Sequence, residues 1–218
     1  MITSKNFICP NCGKAYSLHL PPAVSICCAA CGNVYTVDIN GSTIDEEMNC
    51  KILPDENSLI ILGATGLYNN DPFTIIGRIR SVNTLAISNE WVMWFEKSNT
   101  FQLLIESGLT YFVFSNKAAK ANPNLVKNKA PGAVVNTENG SYAVVEATKQ
   151  IQFKMEGEIP EDSLNVSEYF KVELSKPDGS EFASVYVYSD DVVEISHGKV
   201  VNITELGLST IDKFKDWK

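Results

Sequence analysis

The chain reads as an all-β protein in which a small cysteine-held module precedes a β-rich region of barrel-like or sandwich-like antiparallel sheets, with a short helix at the end. Three observations predict this. Two paired-cysteine knuckles sit near the start, Cys9-Pro10-Asn11-Cys12-Gly13 and Cys28-Ala29-Ala30-Cys31-Gly32. Most of the remaining chain consists of short β-branched and aromatic runs bounded by turn residues, as in sheets. Long amphipathic helical patterns are absent.

The knuckles predict a structural zinc ribbon over residues 1–50. Zinc takes four thiolates in a tetrahedron, and a two-residue gap lets the chain turn both sulfurs of a pair toward one ion. A glycine after each second cysteine suits a turn with positive φ. Fifteen residues, Gly13 to Cys27, separate the pairs, which is ribbon spacing. The expected ligands are Cys9, Cys12, Cys28 and Cys31, with Cys27 and Cys50 as bystanders. Disulfides are the competing use of these thiols. No apolar targeting segment precedes the first knuckle, so a reducing cytoplasm is expected, where thiolates hold metal. Four sulfurs leave no coordination position for water, which predicts a structural and not a catalytic ion. The ribbon strands are expected at Ala15 to Leu20, Val24 to Cys27 and Val34 to Ile39, with His19 merely decorating a strand.

Charge narrows the function classes. The net charge is −8, and the first fifty residues hold only Lys5 and Lys14 against Asp38, Asp45, Glu46 and Glu47. That module lacks the cationic face that neutralises phosphates, so nucleic acid is a poor partner. From Ala121 onward ten lysines face sixteen acidic residues, a surplus that solubilises the surface or attracts a basic partner or polyamine. No apolar run approaches the roughly 20 residues of a membrane span, so insertion is not expected, although peripheral association through a partner stays open.

Residues 51–57 form the expected linker, and 58–218 the β-rich domain, with subregions 58–120 and 133–218. Strands are expected at Leu59 to Leu62, Thr65 to Tyr68 and Phe73 to Val82. A meander comes next: Trp91 to Glu96, Thr100 to Glu106 and Leu109 to Ser115. Asn116 to Gly132 is polar and reads as a long exposed loop or a helical turn. The second half carries Ser141 to Thr148, Ile151 to Glu156, Tyr169 to Leu174, Glu181 to Tyr188, Val192 to Ser196 and Val200 to Ile203. Lys176-Pro177-Asp178-Gly179 marks a hairpin, and Ser196-His197-Gly198 reads as a turn. Leu208, Ile211 and Phe214 have helical spacing and predict a short amphipathic helix over Leu208 to Trp217. An internal echo relates Asn70-Asp71-Pro72-Phe73-Thr74-Ile75-Ile76 to Asn139-Gly140-Ser141-Tyr142-Ala143-Val144-Val145. It raises duplication of a small SH3-like half-barrel, although hairpins also converge on this pattern.

Leu62-Gly63-Ala64-Thr65-Gly66, Pro72-Phe73-Thr74-Ile75-Ile76-Gly77-Arg78-Ile79-Arg80 and Asn89-Glu90-Trp91 resemble a bacterial family, domain of unknown function 4178. Glu156-Gly157-Glu158-Ile159-Pro160 and Phe182 to Asp191 are similar to its second block, with Glu161 replacing an aromatic common there. The resemblance implies a bacterial intracellular protein with a leading zinc ribbon, encoded near membrane-stress and polyamine-related genes. It implies no activity.

Catalytic machinery is sparse. Only His19 and His197 are present, and no nucleophile elbow, phosphate loop or dinucleotide fingerprint appears. The expectation is therefore a non-enzymatic adaptor with a protein partner. Its candidate interaction residues are Trp91, Met93 and Trp94, on a strand apolar on both faces, and Arg78 and Arg80. The competing class is a small-cation or polyamine binder, or an enzyme, using Glu156, Glu158, Asp190 and Asp191. A nucleic-acid-binding ribbon is the third.

Overall fold

A computed structural model describes residues 5–19, 24–37, 43–47, 58–83, 87–108, 110–115, 119–160, 168–189 and 191–209. The linker 51–57, Cys50, Asp190 and the expected helix beyond Ser209 lie outside these residues. The described chain is almost entirely antiparallel strand, with one 3-10 turn at Ile203–Leu206 and no α-helix.

The first knuckle lies between β1 (Lys5–Ile8) and β2 (Ala15–Leu18), a two-stranded sheet. The second lies between β3 (Val24–Cys27) and β4 (Val34–Val37), to which β5 (Thr43–Glu47) adds. Two meanders make up the rest. One comprises β6 (Thr65–Tyr68), β7 (Asp71–Val82), β8 (Ile87–Phe95), β9 (Thr100–Ser107) and β10 (Thr110–Ser115). After a two-residue β11 (Ala119–Lys120), the other comprises β12 (Val134–Thr137), β13 (Gly140–Pro160), β14 (Glu168–Ser175), β15 (Phe182–Val187) and β16 (Val193–Val201).

Strand pairing runs β7-β8-β9-β10-β16-β15-β14-β13 and returns to β7, every neighbour antiparallel. This closed circuit is the barrel-like architecture expected from sequence, and closure leaves no long edge within it. The two meanders repeat each other 69 residues apart. Gly63 N–H donates to Ile75 O and Ile75 N–H to Ala64 O, as Gly132 N–H does to Val144 O and Val144 N–H to Ala133 O, all at 2.8–2.9 Å. The bulge between Ile75 and Gly77 in β7 recurs between Val144 and Glu146 in β13. A converged hairpin accounts for a turn and an aromatic, but not for matching glycines, hydrogen bonds and bulges at one offset.

Three cores divide the apolar side chains of the described residues. The outer face of the first meander packs Ile75, Trp91, Met93 and Leu104 with Ile60, Leu206 and Leu208. That of the second packs Tyr142, Val144, Val172 and Leu174 with Val126 and Val135. The third core joins Phe7, Leu18, Ile26, Tyr35 and Val37 of the ribbon to Ile76, Val92 and Trp94 of the barrel strands. The ribbon is also hydrogen-bonded into the large sheet, because β3 pairs with the last four residues of β13.

At 21 residues, β13 is continuous where two strands were expected. It pairs first with β12, then with β14, then with β7, then with β3. The handover occurs where Gly157 pairs with both Gly77 and Cys27. A Cβ on Gly77 would overlap the Glu158 carbonyl, and one on Gly157 would overlap that of Ile76. Gly157 also has φ +74°, a region costly for any side chain. Leu59 to Leu62 is not a strand. Its backbone turns so that Ile60 enters the core while Ser58 Oγ accepts from Ile60 N–H at 3.1 Å.

Gly157→Ala combines positive φ with backbone overlap and is expected to cost about 3 kcal/mol or more. Gly179→Ala, at φ +69° with open space around its Cβ, is expected to cost only about 1 kcal/mol. Urea unfolding of both variants measures the difference.

Candidate metal centre

Each knuckle is built by the same two hydrogen bonds. Cys9 N–H donates to Lys14 O at 2.8 Å and Gly13 N–H to Cys9 O at 2.9 Å; Cys28 N–H donates to Asn33 O at 2.9 Å and Gly32 N–H to Cys28 O at 2.7 Å. Gly13 and Gly32 hold φ +74° and +77°, the turn conformation that glycine accepts without strain.

The four sulfurs of Cys9, Cys12, Cys28 and Cys31 lie within 4.8 Å of one another. Cys9 and Cys31 Sγ are 3.7 Å apart and Cys12 and Cys28 Sγ 3.5 Å. Zinc–sulfur bonds of about 2.3 Å in a tetrahedron require sulfur–sulfur edges of about 3.8 Å, so the donor set fits such an ion. A disulfide needs about 2.05 Å, and these thiols are free. Cys27 is buried outside the cluster, since strand alternation turns it away from Ile26 and Cys28.

Two tyrosines brace the sulfurs crosswise. Tyr16 Oη donates to Cys28 Sγ at 3.2 Å, and Tyr35 Oη lies 3.9 Å from Cys9 Sγ. Each follows its own knuckle's first cysteine by seven residues, so the repeated unit is Cys-x-x-Cys-Gly-x-x-Tyr. Tyr16 Oη also accepts from Ala29 N–H at 2.9 Å. The matching position in the first knuckle is Pro10, which has no N–H, and Tyr35 Oη instead accepts from Asn33 Nδ2 at 3.2 Å. Burial raises the Cys28 thiol, but the Tyr16 hydroxyl and the backbone N–H groups of Cys31 and Ala30 outweigh it and bring the pKa to about 6. Cys12 has a lowering contact with the Lys14 backbone, yet desolvation and the neighbouring sulfurs push it up to about 12. Cys12 and Cys28 thus ionise unequally, and a bound dication favours the deprotonated form of its thiol ligands.

His19 clamps the ribbon to the barrel, where sequence reasoning expected it only to decorate a strand. Its backbone N–H donates to Glu158 Oε2 at 2.7 Å, its Nδ1 lies 2.6 Å from Glu158 Oε1, and its ring centre is 6.1 Å from that of Trp94. Glu158 raises the His19 pKa against the opposing effect of burial.

Among the described residues, the remaining candidates are not gathered into a surface site. Trp91, Met93, Trp94, Arg78 and Arg80 are all buried, so the expected docking face is core. Arg78 Nε meets Glu156 Oε1 at 2.7 Å and its guanidinium lies 4.8 Å from the Trp91 ring centre. Glu156 and Glu158 therefore each face a different basic partner, and Asp191 is exposed. Sequence reasoning missed Glu106, a buried hub accepting from Ser58 Oγ, Asn89 Nδ2 at 2.9 Å, Trp91 Nε1 at 3.1 Å and Tyr111 Oη at 3.4 Å. Burial and Glu106 push the Tyr111 pKa to about 12. His197 lies within β16, not in a turn, with Nδ1 3.3 Å from Tyr142 Oη. Among the described residues the four cysteines are the only cluster of three or more metal-ligating side chains, and no helix is long and apolar enough to cross a membrane.

No protein-family model, curated protein or solved structure matches the chain.

Tyr16→Phe removes a hydroxyl from Cys28 and is expected to weaken metal binding about tenfold, read by competition against a chromophoric chelator. Glu158→Gln is expected to lower the His19 pKa in an NMR titration. Because the folded-state pKa is raised, the pair's stabilisation is full below the unfolded value of about 6.5 and disappears as pH rises through the folded value. The variant's stability deficit is therefore largest at acidic pH.

Proposed function

We propose that Cys9, Cys12, Cys28 and Cys31 hold one structural zinc ion, and that the protein is a non-enzymatic adaptor presenting this ribbon from the end of a barrel. The sulfur spacing carries the metal reading. Four thiolates are a soft donor set that suits zinc, and they close its coordination shell. A reducing cytoplasm keeps such thiols available, and the resemblance to a bacterial intracellular family agrees with that setting.

The adaptor reading rests on the knuckle tips. Pro10, Asn11, Ala29 and Ala30 are exposed and uncharged, and Ile8 beside them is 63 % exposed. With Lys14 as the one cation beside it, the tip gives phosphates little to neutralise, whereas small apolar and amide groups suit a protein surface. The buried carboxylates Glu106 and Glu158 and the half-buried Glu173 are engaged by donors or basic groups, an arrangement that favours structure over acid–base chemistry.

Purified protein is expected to carry one equivalent of zinc by elemental analysis. Cys31→Ser is expected to abolish stoichiometric binding and lower the melting temperature by roughly 10 °C or more. Ile8→Glu is expected to retain zinc while losing a partner cross-linked to the wild-type ribbon in the native host. Metal-free protein of unchanged stability contradicts the metal reading, and partner binding insensitive to Ile8 contradicts the adaptor reading.

A further inference from the structure

The barrel interior is unlike the three apolar cores. Contacts between strands that are not neighbours identify what points inward: Lys171 on β14 reaches Glu90 on β8 at 3.6 Å, and Phe112 on β10 meets Phe182 on β15 edge-on with ring centres 5.1 Å apart. Among these groups lies a cavity of about 170 Å³, somewhat larger than the roughly 150 Å³ that admits a benzene-sized ligand. Phe112, Phe114 and Phe182 supply aromatic wall, and Glu146, Gln150, Lys171 and Glu173 supply polar wall.

The polar wall has more acceptors than donors. Lys171 is matched by Glu173 Oε1 at 2.8 Å, with Glu90 as a second carboxylate beside it. Glu173 Oε2 accepts from Ser184 Oγ at 2.7 Å. Glu146 is a further carboxylate whose hydrogen-bond donors are neutral, Asn83 Nδ2 and Thr148 Oγ1, both at 2.9 Å and both on Oε1. Gln150 is 5 % exposed and donates through Nε2 to Thr148 Oγ1 at 3.1 Å, while its buried Oε1 has no partner. The wall thus combines surplus negative charge, an unpartnered buried acceptor and aromatic rings.

We propose that this cavity binds a small organic ammonium ion. Glu146 neutralises the ammonium, Gln150 Oε1 accepts one of its N–H groups, and the phenylalanines hold the alkyl body and add cation–π attraction. An anion meets the surplus of carboxylates around Lys171, and a neutral ligand leaves Glu146 unbalanced.

Butylammonium, 1-butanol and propionate have equal numbers of non-hydrogen atoms and differ in charge, so they separate these cases in the wild-type full chain. In an NMR titration butylammonium is expected to shift the Ile105 and Val145 methyl resonances saturably, with Kd on the order of millimolar for so small a ligand. 1-Butanol is expected to bind at least tenfold more weakly and propionate not at all. Glu146→Gln is expected to weaken butylammonium binding about tenfold with the melting temperature unchanged. Preferential propionate binding, equal affinity for 1-butanol, no saturable shift with butylammonium, or undiminished binding by the variant each overturns the proposal.

Discussion

One strand joins three parts of the large sheet. β13 completes the second meander against β14, closes the barrel against β7 and receives the ribbon against β3, and it does so within 21 residues. A backbone has hydrogen-bonding groups along only two edges, so changing neighbours requires a point where chains can cross. Gly77 and Gly157 provide it, because any side chain there would occupy space held by an opposing carbonyl. The chemistry beside the joint is consistent with this role. Arg78 and Glu156 pair on one side of the glycines, and Glu158 holds His19 on the other.

The ribbon is consequently continuous with the barrel in backbone pairing and in packing. Trp94 and Val92 on β8 share a core with Phe7 and Tyr35, whose neighbours are the cysteines themselves. The sulfur cluster is part of that core through Cys9 and Cys28 and is braced by Tyr16 and Tyr35. Order at the sulfurs therefore influences packing at the barrel end, which is how a metal ion held there would contribute to the fold.

The sequence made the knuckles legible because ligand geometry demands particular residues at fixed spacing. Val24–Cys27 and the turn at Lys176 to Gly179 were legible for similar local reasons. Continuity of β13 and β16 was not. Lys149 and Gln150 look like a break, but Gln150 bonds to Thr148 beside the polar cavity, while Lys149 pairs outward with Glu168. Ser196-His197-Gly198 looks like a turn, yet Ser196 Oγ donates to Ser115 O at 2.9 Å and Gly198 gives room to the Phe114 ring. Strand patterns are read from alternation of apolar and polar positions, and a polar barrel interior removes that contrast. The bracing tyrosines were visible as a repeated Cys-x-x-Cys-Gly-x-x-Tyr, a signal lost when each knuckle is read only to its glycine. The burial of both faces of β8 follows from closure, which no local pattern encodes.

Hydrogen exchange with and without bound metal tests most directly whether the sulfur site and barrel form one cooperative structure. Removing the ion with a chelator under reducing conditions is expected to deprotect the amides of β3 and β4 and their partners at Glu158 and Ile159 in β13, while β14 and β15 keep their protection. Identical protection in both states, or loss confined to the two knuckle turns, contradicts the account.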